Sequence, residues 1–148
     1  MHLLFWFLSF IFTFCTMEFM AWFSHKYIMH GFLWSLHKDH HKKDHESWFE
    51  RNDTFFIFYA VVSMSFIAAA EKTTFWQGWP IGVGIMVYGA TYFLVHDIFI
   101  HQRFKWFRNT NNKYIRGIRR AHKMHHKHLG KDQGECFGML FVPFKYYK

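Results

Sequence analysis

Hydrophobic residues are gathered into three long runs, and the segments between and after them are polar and basic. The runs cover residues 3–23, 54–70 and 80–100, and the first carries a single charged residue, Glu18. Because an α-helix rises about 1.5 Å per residue, the first run reaches roughly 31 Å, the thickness of a hydrocarbon core. The pattern predicts an all-α integral membrane helical bundle, with residues 1–148 as one membrane-embedded domain.

Two other interpretations of the runs are weaker. A signal peptide over residues 3–23 would need a basic segment before the run and a small-residue cleavage site after it. A soluble Phe-rich helical protein would not need three separate apolar runs. Two shorter amphipathic stretches, 114–124 and 137–147, are expected at the membrane interface. The pattern therefore predicts about three to four transmembrane helices, the fourth within 104–120 or 137–147.

Basic residues are distributed unevenly around these runs. Of the 18 Lys and Arg residues, only Lys72 lies between the second and third runs, and the other 17 follow the first or the third. Two crossings separate those regions, so the positive-inside rule places both in the cytosol and the N-terminus outside. The net charge of +8 could alone indicate nucleic acid. However, the basic residues are divided among short segments beside the runs, which argues against a nucleic-acid-binding module.

Histidine follows a two-part pattern that occurs twice, once after the first run and once at the end of the third. Each copy is H-x4-H followed by H-x2-H-H, and the ten residues are His25, His30, His37, His40, His41, His96, His101, His122, His125 and His126. Positions i, i+3 and i+4 share one face of a helix, so each H-x2-H-H motif can direct its rings to one place. The H-x4-H pairs fit better where a helix ends, as Gly31 indicates for the first.

Ten imidazoles beside a membrane predict a site for two metal ions. Imidazole suits zinc, copper, iron and nickel, and affinity alone favours zinc over ferrous iron. We expect iron, because neutral ligands at the edge of an apolar slab suit oxygen activation against unactivated C–H bonds; zinc in a purified sample would not exclude it. The other three histidines, His2, His45 and His128, are expected to be ordinary surface residues. Cys15 and Cys136 form neither a disulfide framework nor a zinc motif.

Three acidic residues are candidates for hydrogen bonding to the metal-binding histidines on the side of the ring away from the metal. Asp97 adjoins His96, and a ligating histidine commonly donates its free N–H to a carboxylate. Glu18 lies inside an apolar run, where an ionisable side chain is costly, and it precedes His25 by two helical turns. Asp53 marks the start of the second run. Helix capping by Asp53 and an ion pair of Asp97 with a nearby arginine are the alternatives.

The histidine segments resemble those of the bacterial β-carotene hydroxylases, within the fatty acid hydroxylase superfamily. The matching stretches are HKYIMHGFLWSLHKDHH (25–41), VHDIFIHQRF (95–104) and AHKMHH (121–126). The resemblance extends from about residue 17 to 143. This chain departs from the family at Ile98, where members usually have Gly, and in the order of residues within 131–137.

The resemblance implies an O2-dependent hydroxylation at C3 of the β-ionone ring, which converts β-carotene to β-cryptoxanthin and then zeaxanthin. It also implies two iron ions, a bacterial inner membrane, a carotenoid that enters from the bilayer and a reduced ferredoxin that supplies electrons. The basic cytosolic face is a candidate dock for that donor, and contact with lipid headgroups is the alternative. Aromatic and Met residues such as Trp22, Phe23 and Met29 are candidates for lining the substrate entry, and ordinary lipid-facing or core packing is the favoured alternative for each of them.

Two other functions compete with this one. The first is a membrane fatty-acid or sterol hydroxylase or desaturase of the same superfamily, which product analysis would distinguish. The second is a metal transporter or sensor. A transporter should carry its ligands near the bilayer midplane, whereas these histidines follow the ends of the apolar runs.

Overall fold

Helices account for all the regular structure in the described part of the chain. The computed structural model describes residues 2–43, 46–104, 106 and 109–148, so His45 lies outside it. The elements are α1 (His2–Phe23), the π-helical segment π1 (Ser24–Phe32), α2 (Trp34–His41), α3 (Asp53–Lys72), α4 (Gly78–Tyr92), the π-helical segment π2 (Phe93–Ile100), α5 (Lys113–Lys127) and a 3-10 turn (Phe144–Tyr146).

Three of the described helical stretches are long and apolar enough to cross a membrane. They are His2–Phe32, Asp53–Lys72 and Gly78–Ile100. Only 6% of the most hydrophobic window of each of the first two is buried inside the molecule. Exposed apolar surface on this scale requires a lipid environment. The prediction of an all-α membrane bundle is therefore confirmed, and each helix extends its predicted run.

Helix α4 packs between α1 and α3, and small residues allow the close approach. A Cβ atom added at Gly82 would lie 2.8 Å from the carbonyl oxygen of Ser63, and one added at Gly84 would lie 2.9 Å from Cβ of Thr13. The Ser63 hydroxyl also donates a hydrogen bond of 2.7 Å to the carbonyl of Gly82. Close backbone contact with a polar link is typical of helix pairs in membranes. These contacts fix α4 as the central helix of the bundle.

The long helices α1 and α4 change from α-helical to π-helical geometry where they approach the histidines. Helix α1 continues into π1 and α4 continues into π2, and each π segment carries one H-x4-H pair. A π-helix bonds residue i to i+5, so residues five apart come closer to one face than they do in an α-helix. The backbone leaves helical geometry at Gly31, with ψ of −124°. The expectation of an irregular helix end at the first pair is therefore met by a π segment that breaks at Gly31.

The chain after π2 returns to cover the histidine end of the bundle. Helix α5 includes the predicted stretch 114–124, and its N-cap Asn112 accepts hydrogen bonds from the N–H groups of Tyr114 and Ile115. The stretch 137–147 is irregular apart from a single 3-10 turn, so it does not form a further helix of any length. Neither stretch adds a spanning helix among the described residues. We call residues 128–147 the C-terminal strap.

Candidate metal centre

All ten patterned histidines lie at the end of the bundle where α1 and α4 pass into their π segments. The first histidine group consists of His25, His30, His37, His41 and His125. The second histidine group consists of His40, His101, His122 and His126, joined by His96, whose Nε2 lies 3.1 Å from Nε2 of His40. One nitrogen atom from each first-group histidine lies within 4.8 Å of those of the other members, and the same holds among His40, His101, His122 and His126. Each of these sets could hold one metal ion.

Each half of the sequence contributes one histidine to the group that is formed mainly by the other half. In α2, His37 and His41 enter the first group while His40, on the neighbouring row of the helix, enters the second. In α5 the outer histidines of the motif enter the second group and His125 enters the first. Each half therefore supplies four members of one group and a single member of the other. The sequence left the division of the histidines open, because it depends on how α2 and α5 face each other.

Backbone carbonyls of the C-terminal strap orient most of the first group. Four histidines place Nδ1 within 2.8–3.1 Å of a carbonyl oxygen; the pairs are His25–Phe137, His30–Lys131, His41–His128 and His125–Glu135. The fifth, His37, places Nδ1 2.6 Å from Oδ1 of Asn52. A carbonyl oxygen only accepts, so Nδ1 carries the proton and Nε2 presents its lone pair to the centre of the group. His128, expected to be an ordinary surface residue, contributes its backbone here.

Carboxylates take this role for two histidines of the second group. Nδ1 of His40 donates to Oε2 of Glu50 at 2.8 Å, and Nδ1 of His96 donates to Oδ2 of Asp97 at 3.2 Å. The carboxylate partner fixes the tautomer and makes the imidazole a stronger ligand. Sequence reasoning missed Glu50 and the role of Asn52, since only their contacts with α2 distinguish them from other polar residues of the loop.

The inward-facing nitrogen atoms have the spacing of ligands around a metal ion. Nε2 of His37 lies 3.2 Å from Nε2 of both His25 and His41, and Nε2 of His122 lies 2.8 Å from that of His101 and 2.9 Å from that of His126. For rings that carry their proton on Nδ1, these contacts bring lone pairs together, which is unfavourable without a cation. A metal about 2.1 Å from each nitrogen separates neighbouring ligands by roughly 3 Å. The donor set therefore fits a metal ion in each group.

The predicted acidic residues have three different environments. Asp97 supports His96 and also pairs with Arg103, so both interpretations of Asp97 apply. Asp53 pairs with Arg103 and accepts a hydrogen bond from the N–H of Glu50, so these contacts connect it to Arg103 and to the loop rather than to a histidine. The Asn before it, rather than Asp53, occupies the N-cap position of α3.

Glu18 is placed away from the histidine rings, against the C-terminal strap. Its Oε1 accepts hydrogen bonds from the N–H groups of Met139, Leu140 and Phe141 at 2.8–3.2 Å, and its Oε2 accepts from the hydroxyl of Tyr88 at 2.7 Å. Among the described residues these are the hydrogen bonds that satisfy the carboxylate. Glu18 thus anchors the strap, whose carbonyls contact histidines of the first group.

The comparisons with known proteins agree with this site. The family model described as fatty acid hydroxylase matches residues 10–145. The chain belongs to this family. It is 37% identical over 131 residues to a β-carotene hydroxylase of Pantoea ananas, covering 88% of this chain and 74% of the relative. It is 35% identical over 139 residues to a β-carotene hydroxylase of Paracoccus sp. (strain PC1), covering 93% and 84%. No solved structure matches the chain.

The similarity to plant relatives also covers most of this chain. A chloroplastic β-carotene hydroxylase 2 of Capsicum annuum is 37% identical over 133 residues, which are 86% of this chain and 41% of the relative. The similarity therefore spans the bundle and the histidine groups in bacterial and plant members alike.

Burial keeps the histidines outside the membrane helices neutral. It lowers the pKa of His37 to about 2 and that of His41 to about 4. It likewise lowers the pKa of His101, His125 and His126 to about 3, and neighbouring histidines reinforce the effect. The neutral imidazole is the form that binds a metal. At neutral pH the site is therefore ready to bind metal without first releasing protons from these rings.

A cavity of about 240 Å³ adjoins the second histidine group. Its walls come mainly from α1, α3, α4 and the loop before α3, and they are apolar and aromatic; they include Met17, Ala21, Met29, Phe55, Phe56, Tyr59, Ile85 and Tyr92. Of the three residues that the sequence suggested for the substrate entry, Met29 lines the cavity, whereas Trp22 and Phe23 are not among its lining residues. Its polar lining residues include His96, Asp97 and Arg103. Through His96 the cavity adjoins the second group directly.

Proposed function

We propose that this chain is a β-carotene 3-hydroxylase that inserts one oxygen atom of O2 at C3 of the β-ionone ring, giving β-cryptoxanthin and then zeaxanthin. The observation that carries the proposal is an apolar cavity that ends at one of two histidine groups, in a chain 35–37% identical to bacterial β-carotene hydroxylases. The second oxygen atom leaves as water, so each turnover consumes two electrons and two protons.

The ten histidines would hold two iron ions, five ligands to each group. Iron supplies the oxidising chemistry with O2, which no amino-acid side chain provides. The protein fixes seven of these rings through hydrogen bonds at Nδ1, keeps the imidazoles neutral and limits the access of water. The hydrogen bonds that these rings donate to the strap carbonyls, to Asn52 and to the carboxylates support this division of labour.

The cavity supplies orientation for the substrate. A carotenoid dissolved in the bilayer is long and apolar, and the exposed apolar surfaces of α1 and α3 would contact the same lipid phase. Phe56, Tyr59 and Ile85 line the cavity, where an apolar ring would replace water and lie against His96. Holding a reacting C–H bond near the oxidant in one orientation is the main catalytic gain of such a pocket.

The basic side of the molecule suggests its orientation and its electron donor. Several Lys and Arg side chains are exposed on α5, namely Lys113, Arg116, Arg120, Lys123 and Lys127. They lie on the helix that also supplies His122, His125 and His126. We propose that this side faces the cytosol of a bacterial inner membrane, with the N-terminus outside, and that an acidic ferredoxin-type donor docks on it beside anionic lipid headgroups.

Pigment analysis tests the proposed activity. A β-carotene-accumulating bacterium would express the wild type, the His40→Ala/His125→Ala variant and, as a matched control, His2→Ala, which removes a histidine packed on Trp76. Zeaxanthin should appear with the wild type and with His2→Ala. It should disappear with the double variant, which removes one ligand from each group, while the protein remains in the membrane fraction.

The same experiment addresses the lipid alternative, which the description of the family favours. Unchanged β-carotene in cells that contain metal-loaded wild-type protein would argue against the carotenoid. Hydroxylated or desaturated fatty acids or sterols that depend on His40 and His125 would then identify the substrate class.

A further inference from the structure

Arg103 contacts three carboxylates at the edge of the second histidine group. Its Nε lies 2.9 Å from Oδ1 of Asp97, and its Nη2 lies 2.9 Å from Oε2 of Glu50 and 3.0 Å from Oδ1 of Asp53. All four side chains are largely buried. The guanidinium also lies 5.5 Å from the centre of the Trp48 ring. We call these four charged residues the Arg103 cluster.

Two carboxylates of the cluster continue to histidines. Oε2 of Glu50 accepts from Nδ1 of His40, and Oδ2 of Asp97 accepts from Nδ1 of His96. These two rings come from opposite halves of the sequence, and their Nε2 atoms lie 3.1 Å apart. Arg103 is therefore connected to two neighbouring members of the second group, in each case through one carboxylate.

The first group is supported differently. Its histidines use backbone carbonyls of the strap and the neutral amide of Asn52 at Nδ1. The hydrogen bonds between the Arg103 cluster and histidine rings described above go to His40 and His96, both in the second group. Disturbing the cluster should therefore affect one group and not the other.

The three carboxylates need a cation between them. Charges of the same sign in a partly buried cluster repel each other strongly, and a planar guanidinium offers separate N–H groups to all three at once. Removing it leaves buried carboxylates without their partner, which is far more costly than the loss of an exposed ion pair. They would rotate apart or admit water, and the rings of His40 and His96 would lose their fixed orientation.

We propose that Arg103 is a positioning residue that, through Glu50 and Asp97, holds His40 and His96 in place and so controls metal binding in the second histidine group alone. The inference rests on the proposed function only in requiring that both groups bind metal. Since His96, Asp97 and Arg103 also line the cavity, the group under this control is the one next to the proposed substrate.

Metal stoichiometry tests the proposal without relying on activity. Purified, metal-free protein in detergent would be titrated with Co²⁺ while its visible ligand-field spectrum is recorded, for the wild type, Arg103→Gln, Arg103→Lys and Arg116→Gln. Arg116 is an exposed arginine of α5, so its variant removes the same charge outside the cluster. The wild type and Arg116→Gln should bind two equivalents tightly. Arg103→Gln should keep one tight equivalent and bind the second about 10- to 100-fold more weakly.

Two further variants identify the weakened group. Adding His126→Ala, which removes a second-group ligand, to Arg103→Gln should leave the remaining tight equivalent intact. Adding His125→Ala, which removes a first-group ligand, should abolish it. Arg103→Lys should recover part of the lost affinity, because a lysine restores the charge but not the planar set of donors. The retained equivalent also shows that the variant is folded.

The possible failures are distinct. Two tight equivalents in Arg103→Gln, or equal weakening of both, would overturn the positioning role and leave the proposed hydroxylase intact. A wild type that binds fewer than two equivalents would overturn the two-metal function, and the present inference with it.

Discussion

At the scale of single residues, one carboxylate inside a membrane helix has a structural task that its position in the sequence does not reveal. The spacing of Glu18 from His25 suggested contact with the metal site, yet its acceptors are filled by Tyr88 and by three backbone N–H groups more than 120 residues away. Such a partner set is a long-range feature that no local pattern encodes. The ten histidines, by contrast, were recognisable because two motifs with fixed spacing occur twice.

Removing the Glu18 carboxylate should release the strap. In Glu18→Ala, three N–H groups and the Tyr88 hydroxyl lose a charged acceptor, which should lower the free energy of unfolding by about 2 kcal/mol or more. The strap carbonyls behind His25 and His125 would shift, so first-group metal should be lost as well. Thermal unfolding and metal analysis in detergent check both effects. Glu18→Gln retains an acceptor oxygen and should be affected less; equal behaviour of the two variants would contradict the anchoring role.

Acid should destabilise the metal-free protein through its histidines. Folding lowers the pKa of His37 to about 2 and that of His41 to about 4, from about 6.5 in an unfolded chain. The unfolded state therefore binds protons first, so this stability is fully present above about pH 6.5 and is lost progressively as the pH falls from there towards the folded-state values. Melting temperatures with chelator between pH 7.5 and 4.5 should fall, with a shallower slope for His41→Gln. A melting temperature that rises on acidification would refute this assignment.

At the scale of elements, the helices follow from local pattern and their mutual arrangement does not. The apolar runs predicted the second and third spanning segments to within two residues, because hydropathy and length set them directly, whereas the first continues nine residues past its predicted end, to Phe32, through π1. The sequence left open whether 137–147 is helical; the stretch is irregular apart from a 3-10 turn, and its N–H groups at 139–141 bind Glu18 while the carbonyl of Phe137 accepts from His25. The exchange of His40 and His125 between groups also depends on the packing of α2 against α5.

The contact of α4 with α3 should tolerate no added methyl group at Gly82. A Cβ there would lie 2.6 Å from Cγ1 of Ile67 and 2.8 Å from the Ser63 carbonyl, whereas one at Gly89 would lie 3.8 Å from the nearest atom, in the Phe56 ring. Gly82→Ala should therefore destabilise the bundle by about 1–3 kcal/mol, the usual cost of overpacking. Gly89→Ala should change stability little. Thermal unfolding of both variants in the same detergent measures the difference, and equal losses would argue against close packing at Gly82.

At the scale of the whole molecule, the fold joins a lipid-facing bundle, an apolar cavity and two histidine groups in a single short chain. The helices provide the cavity on one side of the second group. The strap supports histidines of the first group, and the Arg103 cluster supports histidines of the second. The sequence indicated the apolar helices and the ligands, but the cavity required the packing of α1, α3 and α4, because its lining residues come from segments far apart in the chain.

Filling the cavity should separate substrate binding from metal binding. Ala21 lines the cavity from α1, so Ala21→Phe would occupy the space proposed for the ring. Ala68 is exposed on α3, and Ala68→Phe adds the same side chain to the surface expected to face lipid. We expect Ala21→Phe to lower the ratio of zeaxanthin to β-carotene at least tenfold while both variants retain wild-type metal content. Equal product from the two variants would show that the substrate reaches the histidines by another route, and loss of metal from Ala21→Phe would show that the cavity supports the site rather than the substrate.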